Sequence, residues 1–269
     1  MPELPEVEAI ARTLRPLVRG QVIARCRVRH PIAVRPQGAA ALRRGVEGQR
    51  IMAIERRGKY LLLRLGRGSL VLHFRLDGQL VWFPQRRTAG HIDVALELGN
   101  GTLGFVDRRH FGRVHWLARP EDSPGIRRLG VDPLSTEFTP QRLAAVLKRA
   151  RRPVKLLLMD QARIAGLGNI YSNEALWRAR VSPRRRANRL ASDEVGRLHK
   201  GVVSVLRRAL ECCLDPAPDF RDAAWWFQGL EEILHVYDRE GKACRRCSSR
   251  IRRIEQGGRS SYFCPGCQR

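Results

Sequence analysis

Four cysteines near the end of the chain, in "CRRC" at 244–247 and "CPGC" at 264–267, are spaced C-x2-C-x16-C-x2-C. No other feature of the sequence limits its fold so narrowly. Two C-x2-C turns can present four thiolates to a single ion as a tetrahedron, the usual arrangement of structural zinc. Cys244, Cys247, Cys264 and Cys267 are therefore expected to hold one Zn2+ as a closed site that stabilises structure and does no chemistry itself. Two disulfides or free thiols are the competing reading, and disulfides belong to oxidising compartments. Against them, the sequence shows no basic-then-apolar leader and no apolar run of about 18 residues, so a cytoplasmic chain outside the membrane is expected. The 16 residues between the cysteine pairs contain "QGG" at 256–258 between strand-like flanks. That reads as a hairpin carrying Arg252, Arg253 and Arg259, and a basic hairpin on a rigid knuckle suits contact with phosphate. Cys26, Cys212 and Cys213 have no metal spacing.

Charge points the same way. Lys and Arg number 51 against 26 Asp and Glu, a net charge of +25 distributed along the chain. Each phosphate neutralised by such a surface releases counterions and adds affinity, which favours a polyanionic partner. The plainer reading is an arginine-rich composition with its charge on solvated faces.

Residues 21–118 alternate in character, with strand-like runs at 51–55, 59–65, 69–74, 79–83, 91–98, 102–106 and 113–117 and turns at "GRG", "DG" and "NG". This pattern predicts an antiparallel sandwich or barrel with an N-terminal helix packed on it. A Pro/Gly/Ser-rich stretch at 119–140 suggests a hinge. Helical periodicity follows at 140–150, 153–163, 170–178 and 192–214.

Three further stretches carry candidate chemistry. In "RIAGLGNIYSNEALW" at 163–177, Gly166 and Gly168 bracket a tight turn, and Asn169 opens a helix whose N-terminus favours a phosphate, although glycine turns between helices often serve packing alone. In "RRGKYLLLRL" Lys59 follows Gly58 at a strand start, and in "DRRHFG" at 107–112 arginines flank a phenylalanine able to enter a base stack or simply to fill a core. The chain opens "MPELPEVEAI". Pro5, Val7, Ile10, Leu14 and Leu17 explain a helix ending before Gly20, but they leave Pro2 unexplained. Without Met1, Pro2 is a terminal secondary amine beside the carboxylate of Glu3.

Together, "PELPEVE" at 2–8, "GKYLLL" at 58–63, "DRRHFG", "LMDQARIAGLGNIYSNEAL" at 158–176 and the four-cysteine finger resemble the formamidopyrimidine-DNA glycosylase family, also called MutM, over the whole chain. The resemblance implies an α+β multidomain fold: an N-terminal antiparallel β-sandwich with its helix, then a helical helix-two-turn-helix domain bearing a four-cysteine zinc finger. On this chain the boundaries fall at 1–120 for the catalytic domain, 121–140 for a linker, 141–235 for the DNA-binding helices and 236–269 for the finger.

The implied activity is a bifunctional DNA glycosylase and abasic-site lyase of base excision repair, removing 8-oxoguanine and formamidopyrimidines from double-stranded DNA. In such enzymes the terminal proline nitrogen, here Pro2, attacks C1′ of a flipped nucleotide, expels the base and forms an iminium that undergoes β- and δ-elimination. An α-amino group titrates near pH ~8 and a lysine near ~10.4, so at pH 7 roughly a tenth of the former is free, against about one in a few thousand of the latter. Glu3 matches the general acid and base, Lys59 a phosphate ligand that assists β-elimination, and Arg259 a phosphate grip that assists δ-elimination. Leu76, Arg109 and Phe111 match a wedge that fills the vacated stack. Asn169 and Arg151 match phosphate ligands, Lys155 and Glu6 positions lining the lesion pocket, and Glu174 a structural glutamate. His91 matches one of a histidine pair whose first member is here Ala89.

Other positions depart from the family pattern. Leu76 replaces a usual methionine, His110 a usual arginine, and "CCLDPAPDFRDAAWWF" at 212–227 a Gly/Thr-rich loop. Leu76 and His110 bear on which partner base is preferred, and the 212–227 segment motivates one alternative, the same chemistry on oxidised pyrimidines or on bulky or crosslinked bases. The other alternative is a non-catalytic damaged-DNA-binding paralogue, which retention of Met1 would produce by making Pro2 a tertiary amide. A monomer at the bacterial nucleoid is expected.

Overall fold

The structure, a computed structural model, describes residues 2–84, 92–215, 220 and 230–269. The chain forms two compact units, Met1–Arg127 with Cys213–Gln228 and Arg128–Cys212 with Gly229–Arg269.

The first unit begins with helix α1 (Leu4–Val18), whose Leu4, Val7, Ile10, Leu14 and Val18 are all fully buried. It is followed by β1 (Arg25–Val28), α2 (Ala39–Val46), β2 (Ile51–Arg57), β3 (Tyr60–Leu65), β4 (Ser69–His73), β5 (Gln79–Phe83), β6 (Val94–Leu98), β7 (Gly101–Val106), β8 (Arg113–Leu117) and a short α3 (Pro124–Arg127). Two four-stranded sheets result, in the orders β1-β6-β7-β5 and β2-β3-β4-β8, and every pairing is antiparallel. Leu61, Leu62 and Leu63 are consecutive and fully buried. Side chains alternate faces along a strand, so β3 is covered on both sides, as an interior strand packed under α1 must be.

The N-terminal half is less uniformly stranded than its alternation predicts. Residues 31–34 form a 3-10 turn and 39–46 form α2. Pro31 and Pro36 remove ladder donors there, Gly38 at φ +83° starts the helix, and Leu42 and Val46 bury one face four residues apart. Strand β1 spans only Arg25–Val28, and Val22 makes a single bridge to Arg50.

The second unit contains α4 (Pro140–Lys148), α5 (Val154–Leu158), α6 (Asn169–Ala179), α7 (Ser192–Leu214), α8 (Leu230–Ile233) and the hairpin β9 (Arg252–Gln256) and β10 (Arg259–Phe263). Thr139 caps α4 by accepting from the Arg142 N–H at 3.1 Å. The helix predicted over 153–163 stops at Leu158 because the Gln161 side chain takes over the next backbone groups. Its amide donates to Met159 O and Leu167 O at 2.9 and 2.6 Å and accepts from Gly166 N at 2.8 Å. Trp177 on α6 packs with Val236, Cys244, Ile251 and Cys264 in one buried cluster, which fastens the finger to this helix.

Candidate active site and nucleic-acid interface

Pro2 is buried and precedes α1, and Glu3 is the residue at the helix N-cap. Glu3 is only 1% exposed and Glu6 3%, and Glu6 Oε2 accepts the Glu3 N–H at 2.7 Å, reaching back as the third residue of a capping box does. The second proline at the chain start therefore has a helix-forming reason, whereas Pro2 lies outside the helix with a carboxylate next to it.

Two ties set the register of α1 on β2. Arg56 Nε donates to Glu8 at 2.8 Å, and Arg15 Nη2 donates to Ile54 O at 3.1 Å. As α1 runs back from Arg15 to Glu8, β2 runs forward from Ile54 to Arg56, so the first residues of the chain head toward the turn that closes β2 and β3. That turn is the pair Gly58 and Lys59, with Arg57 opposite Tyr60 and Gly58 at φ +57°, the glycine position of a two-residue II′ hairpin. Lys59 is 7% exposed there.

His73 on β4, which sequence reasoning passed over, faces the same region. Its ring meets Tyr60 edge-on at 4.5 Å, and its Nδ1 accepts the Arg75 N–H at 3.0 Å. Burial first, then the positive charges of Arg75 and Lys59, push its pKa down to about 3, so the imidazole is neutral at pH 7. The signal available in the sequence was a polar residue ending an otherwise apolar strand shortly before Leu76.

Leu76, Arg109 and Phe111 are brought together on two adjoining loops, β4–β5 and β7–β8, which leave one end of the paired strands β5 and β7. Arg109 Nε lies 3.3 Å from Asp77, and its guanidinium sits 5.3 Å from the Phe111 ring centre. Phe111 is 49% exposed, one of three large hydrophobic side chains exposed among the described residues. Both loops contain a non-glycine residue in the left-handed region beside the wedge, Arg75 at φ 55° and His110 at φ 56°. Such residues persist where the surroundings over-determine them, and they cluster at functional sites.

Asp107 supplies much of that determination. Its carboxylate accepts from Arg109 N at 3.0 Å and Gly112 N at 2.5 Å, while its own N–H donates to buried Asp93 at 2.6 Å. The Arg113 guanidinium then collects the carbonyls of His110, Phe111 and Gly112 at 3.0, 3.0 and 2.7 Å. A rigid frame thus presents an exposed cation and an exposed ring. His91 lies outside the described residues, as does most of 212–227.

In the second unit, Asn169 is the first residue of α6, after a turn in which Gly166 takes φ +90°. Arg151 is exposed between α4 and α5. Lys155 is fully buried, and its ammonium donates to Ser260 O at 2.7 Å and Ser261 Oγ at 2.6 Å on β10. It therefore backs the hairpin whose tip, Gly257 and Gly258 at φ +57° and +69°, presents exposed Arg259. Glu174 is fully buried, and its carboxylate accepts three successive N–H groups, from His235, Val236 and Tyr237, at 2.9, 2.8 and 2.8 Å. Burial raises its pKa while these donors oppose the rise. The glutamate anchors the chain where it enters the finger.

The sulfur atoms of Cys244, Cys247, Cys264 and Cys267 all lie within 4.8 Å of one another, with Cys244–Cys267 at 3.9 Å and Cys247–Cys264 at 3.4 Å. A tetrahedron with Zn–S near ~2.3 Å has edges of about 3.8 Å, so this donor set fits a zinc ion. Trp177 Nε1 donates to Cys244 Sγ at 3.4 Å, as does Arg246 N, the outer-sphere support expected of a thiolate ligand. The four cysteines form a structural zinc site.

Residues 1–114 match the Formamidopyrimidine-DNA glycosylase N-terminal domain, 129–215 the Formamidopyrimidine-DNA glycosylase H2TH domain, and 241–269 a zinc finger found in FPG and IleRS. A formamidopyrimidine-DNA glycosylase of Pelotomaculum thermopropionicum is 42% identical over 276 residues, covering 100% of this chain and 99% of the relative. One from Chloroflexus aurantiacus is 43% identical over 278 residues, covering 100% and 98%. The crystal structure of MutM (Fpg) from Thermus thermophilus superposes with a TM-score of 0.86 at 39% identity, covering 99% of this chain and 98% of that one. Wild-type Lactococcus lactis Fpg (MutM), solved with DNA containing an oxidised pyrimidine, gives a TM-score of 0.89 at 30% identity, with both chains covered in full.

Proposed function

The chain belongs to the formamidopyrimidine-DNA glycosylase family, and from that membership we infer a DNA glycosylase of base excision repair with the family's abasic-site lyase activity, acting on damaged double-stranded DNA. Oxidised purines, 8-oxoguanine and formamidopyrimidines, are the proposed substrates. The observation that carries the reading is Pro2 set outside α1 with the buried Glu3 carboxylate adjacent and the Lys59 turn at the end of β2 toward which the helix start runs.

The proposed sequence of events begins with removal of Met1, which frees the Pro2 nitrogen. That nitrogen donates its lone pair to C1′ of the extruded nucleotide, and the bond from C1′ to the base breaks with the base as leaving group. Pro2 loses its N–H proton, Glu3 protonates the ring oxygen of the sugar as the C1′–O4′ bond breaks, and C1′ becomes an iminium carbon. The positive nitrogen then draws electrons as a C2′ proton is removed and the 3′ phosphate leaves by β-elimination, and as a C4′ proton is removed and the 5′ phosphate leaves by δ-elimination. Lys59 and Arg259 hold and assist departure of those phosphates. Leu76, Arg109 and Phe111 occupy the space of the extruded base, with Arg109 reading its orphaned partner. Arg151 and Asn169 bind flanking phosphates, Lys155 and Glu6 stand where the family lines its lesion pocket, and His91 is a further DNA contact. The zinc supplies no chemistry to these steps; its ligands hold the hairpin that carries Arg259. The working unit proposed is a monomer in the cytoplasm, at the nucleoid, and no helix among the described residues is long and apolar enough to cross a membrane.

A lesion panel tests the substrate. Cleavage of a duplex bearing 8-oxoguanine opposite cytosine is expected to exceed cleavage of one bearing thymine glycol. Cleavage of thymine glycol alone would replace this reading with the pyrimidine one, which the two prolines and two tryptophans of 212–227 favour.

A further inference from the structure

Two arginine-rich segments of the second unit, 149–153 and 184–188, run antiparallel beside each other. Asn188 N donates to Ala150 O at 3.0 Å, Ala187 N to Arg152 O at 3.0 Å and Val154 N to Arg185 O at 2.8 Å, and Pro153 bridges Arg186. Backbone pairing therefore holds Lys148, Arg149, Arg151 and Arg152 close to Arg184, Arg185, Arg186 and Arg189. Adjacent like charges on paired strands are destabilising, so a fold that fixes them there needs a reason.

Neutralisation within the tract is selective. Arg152 is ion-paired with Asp160, and Arg185 forks onto Glu194 at 3.1 and 3.0 Å. These two alternate along their segments with Arg151, Arg184 and Arg186, which are exposed. Among the described residues, no ion pair involves Lys148, Arg149, Arg151, Arg184, Arg186 or Arg189. The tract also continues onto the finger: Gln256 Nε2 donates to Pro183 O at 3.3 Å, Ser182 N donates to Arg269 O at 2.8 Å, and the Arg184 guanidinium lies 5.7 Å from the Phe263 ring centre.

We propose that this paired basic ribbon is a second DNA-binding tract, which contacts phosphates of undamaged duplex outside the lesion and serves sequence-independent binding. It rests on the reading that the chain acts on DNA, and apart from Arg151 it adds residues to which that reading assigns no role. Phosphate contacts carry no sequence information, so the proposed contribution is one of charge and reach: a backbone grip that holds the protein on duplex.

The test is binding of the full-length, zinc-loaded protein to a long undamaged duplex, measured by anisotropy over a range of salt, for wild type and for Arg149→Ala/Arg186→Ala. If each arginine neutralises one phosphate, the slope of log K against log salt becomes shallower by about 1.8. Arg149→Lys/Arg186→Lys is expected to restore the wild-type slope, because it keeps the charge. An unchanged slope in the alanine pair would overturn the proposal, and so would a shallower slope that lysine fails to restore, since that indicates damage to packing. Borohydride trapping of the same variants on a saturating lesion duplex separates the two readings: intact trapping with an unchanged slope rejects the ribbon alone, and no trapping even in wild type rejects the enzyme.

Discussion

Asp107 carries no catalytic chemistry in this account, yet it determines where Arg109 and Phe111 stand. Removing its carboxylate leaves the N–H groups of Arg109 and Gly112 without their acceptor, at a cost of about 1–3 kcal/mol per buried group. Asp107→Ala is expected to lower excision by about 10²-fold, the scale of a misplaced catalytic or positioning group, while borohydride trapping on a preformed abasic site falls less. Glu174 is a purer case of structure: Glu174→Ala strands three N–H groups and is expected to cost about 3–5 kcal/mol, read as a lowered melting temperature. His73 gives a pH signature. The fold holds it neutral down to about 3, whereas an unfolded histidine titrates near 6.5. Between those values the unfolded chain binds more protons, so stability is full above 6.5 and declines as pH falls toward 3. His73→Asn keeps an acceptor near the Nδ1 position and cannot titrate, so its melting temperature should fall less steeply with acid than that of wild type.

At the scale of elements, the finger is the clearest case of sequence dictating structure. Four cysteines at fixed spacing leave little freedom, and the hairpin between them forms with two glycines at its tip. Stripping zinc with a chelator is expected to unfold β9 and β10 and to weaken DNA binding, because apparent binding energies of about 10–16 kcal/mol for structural zinc are folding energy. Unchanged DNA affinity in the metal-free protein would detach the finger from the interface. Other elements were hidden for identifiable reasons. Helix α2 is short and follows two prolines, so Leu42 and Val46 alone are too few to display a helical period in the sequence. Asp107 and Gln161 act through backbone groups that meet them only once the loop has closed, and pairwise spacing in a sequence does not display that. His73 sits at a strand end, where a polar residue is ordinary, and becomes notable only beside Tyr60 and Lys59. Pro2, by contrast, was conspicuous because α1 accounted for Pro5 and left it over.

For the whole molecule, the +25 charge finds a physical use in the exposed arginines of the second unit and the finger. The first unit combines a buried acid beside the chain start, a lysine turn and a framed wedge, and the second presents phosphate-seeking groups on a helix start, a ribbon and a zinc-held hairpin. In the function proposed, each serves to grip DNA, extrude a nucleotide or attack its sugar. The central claim is that the nitrogen of Pro2 makes that attack. It is tested most directly by borohydride trapping on an abasic-site duplex with two preparations, one shown by intact mass to lack Met1 and one in which Met1 is retained. A covalent protein–DNA adduct from the Met1-free protein and none from the Met1-retaining protein is the expected result; no adduct from the Met1-free protein, or equal adduct from both, would contradict the account.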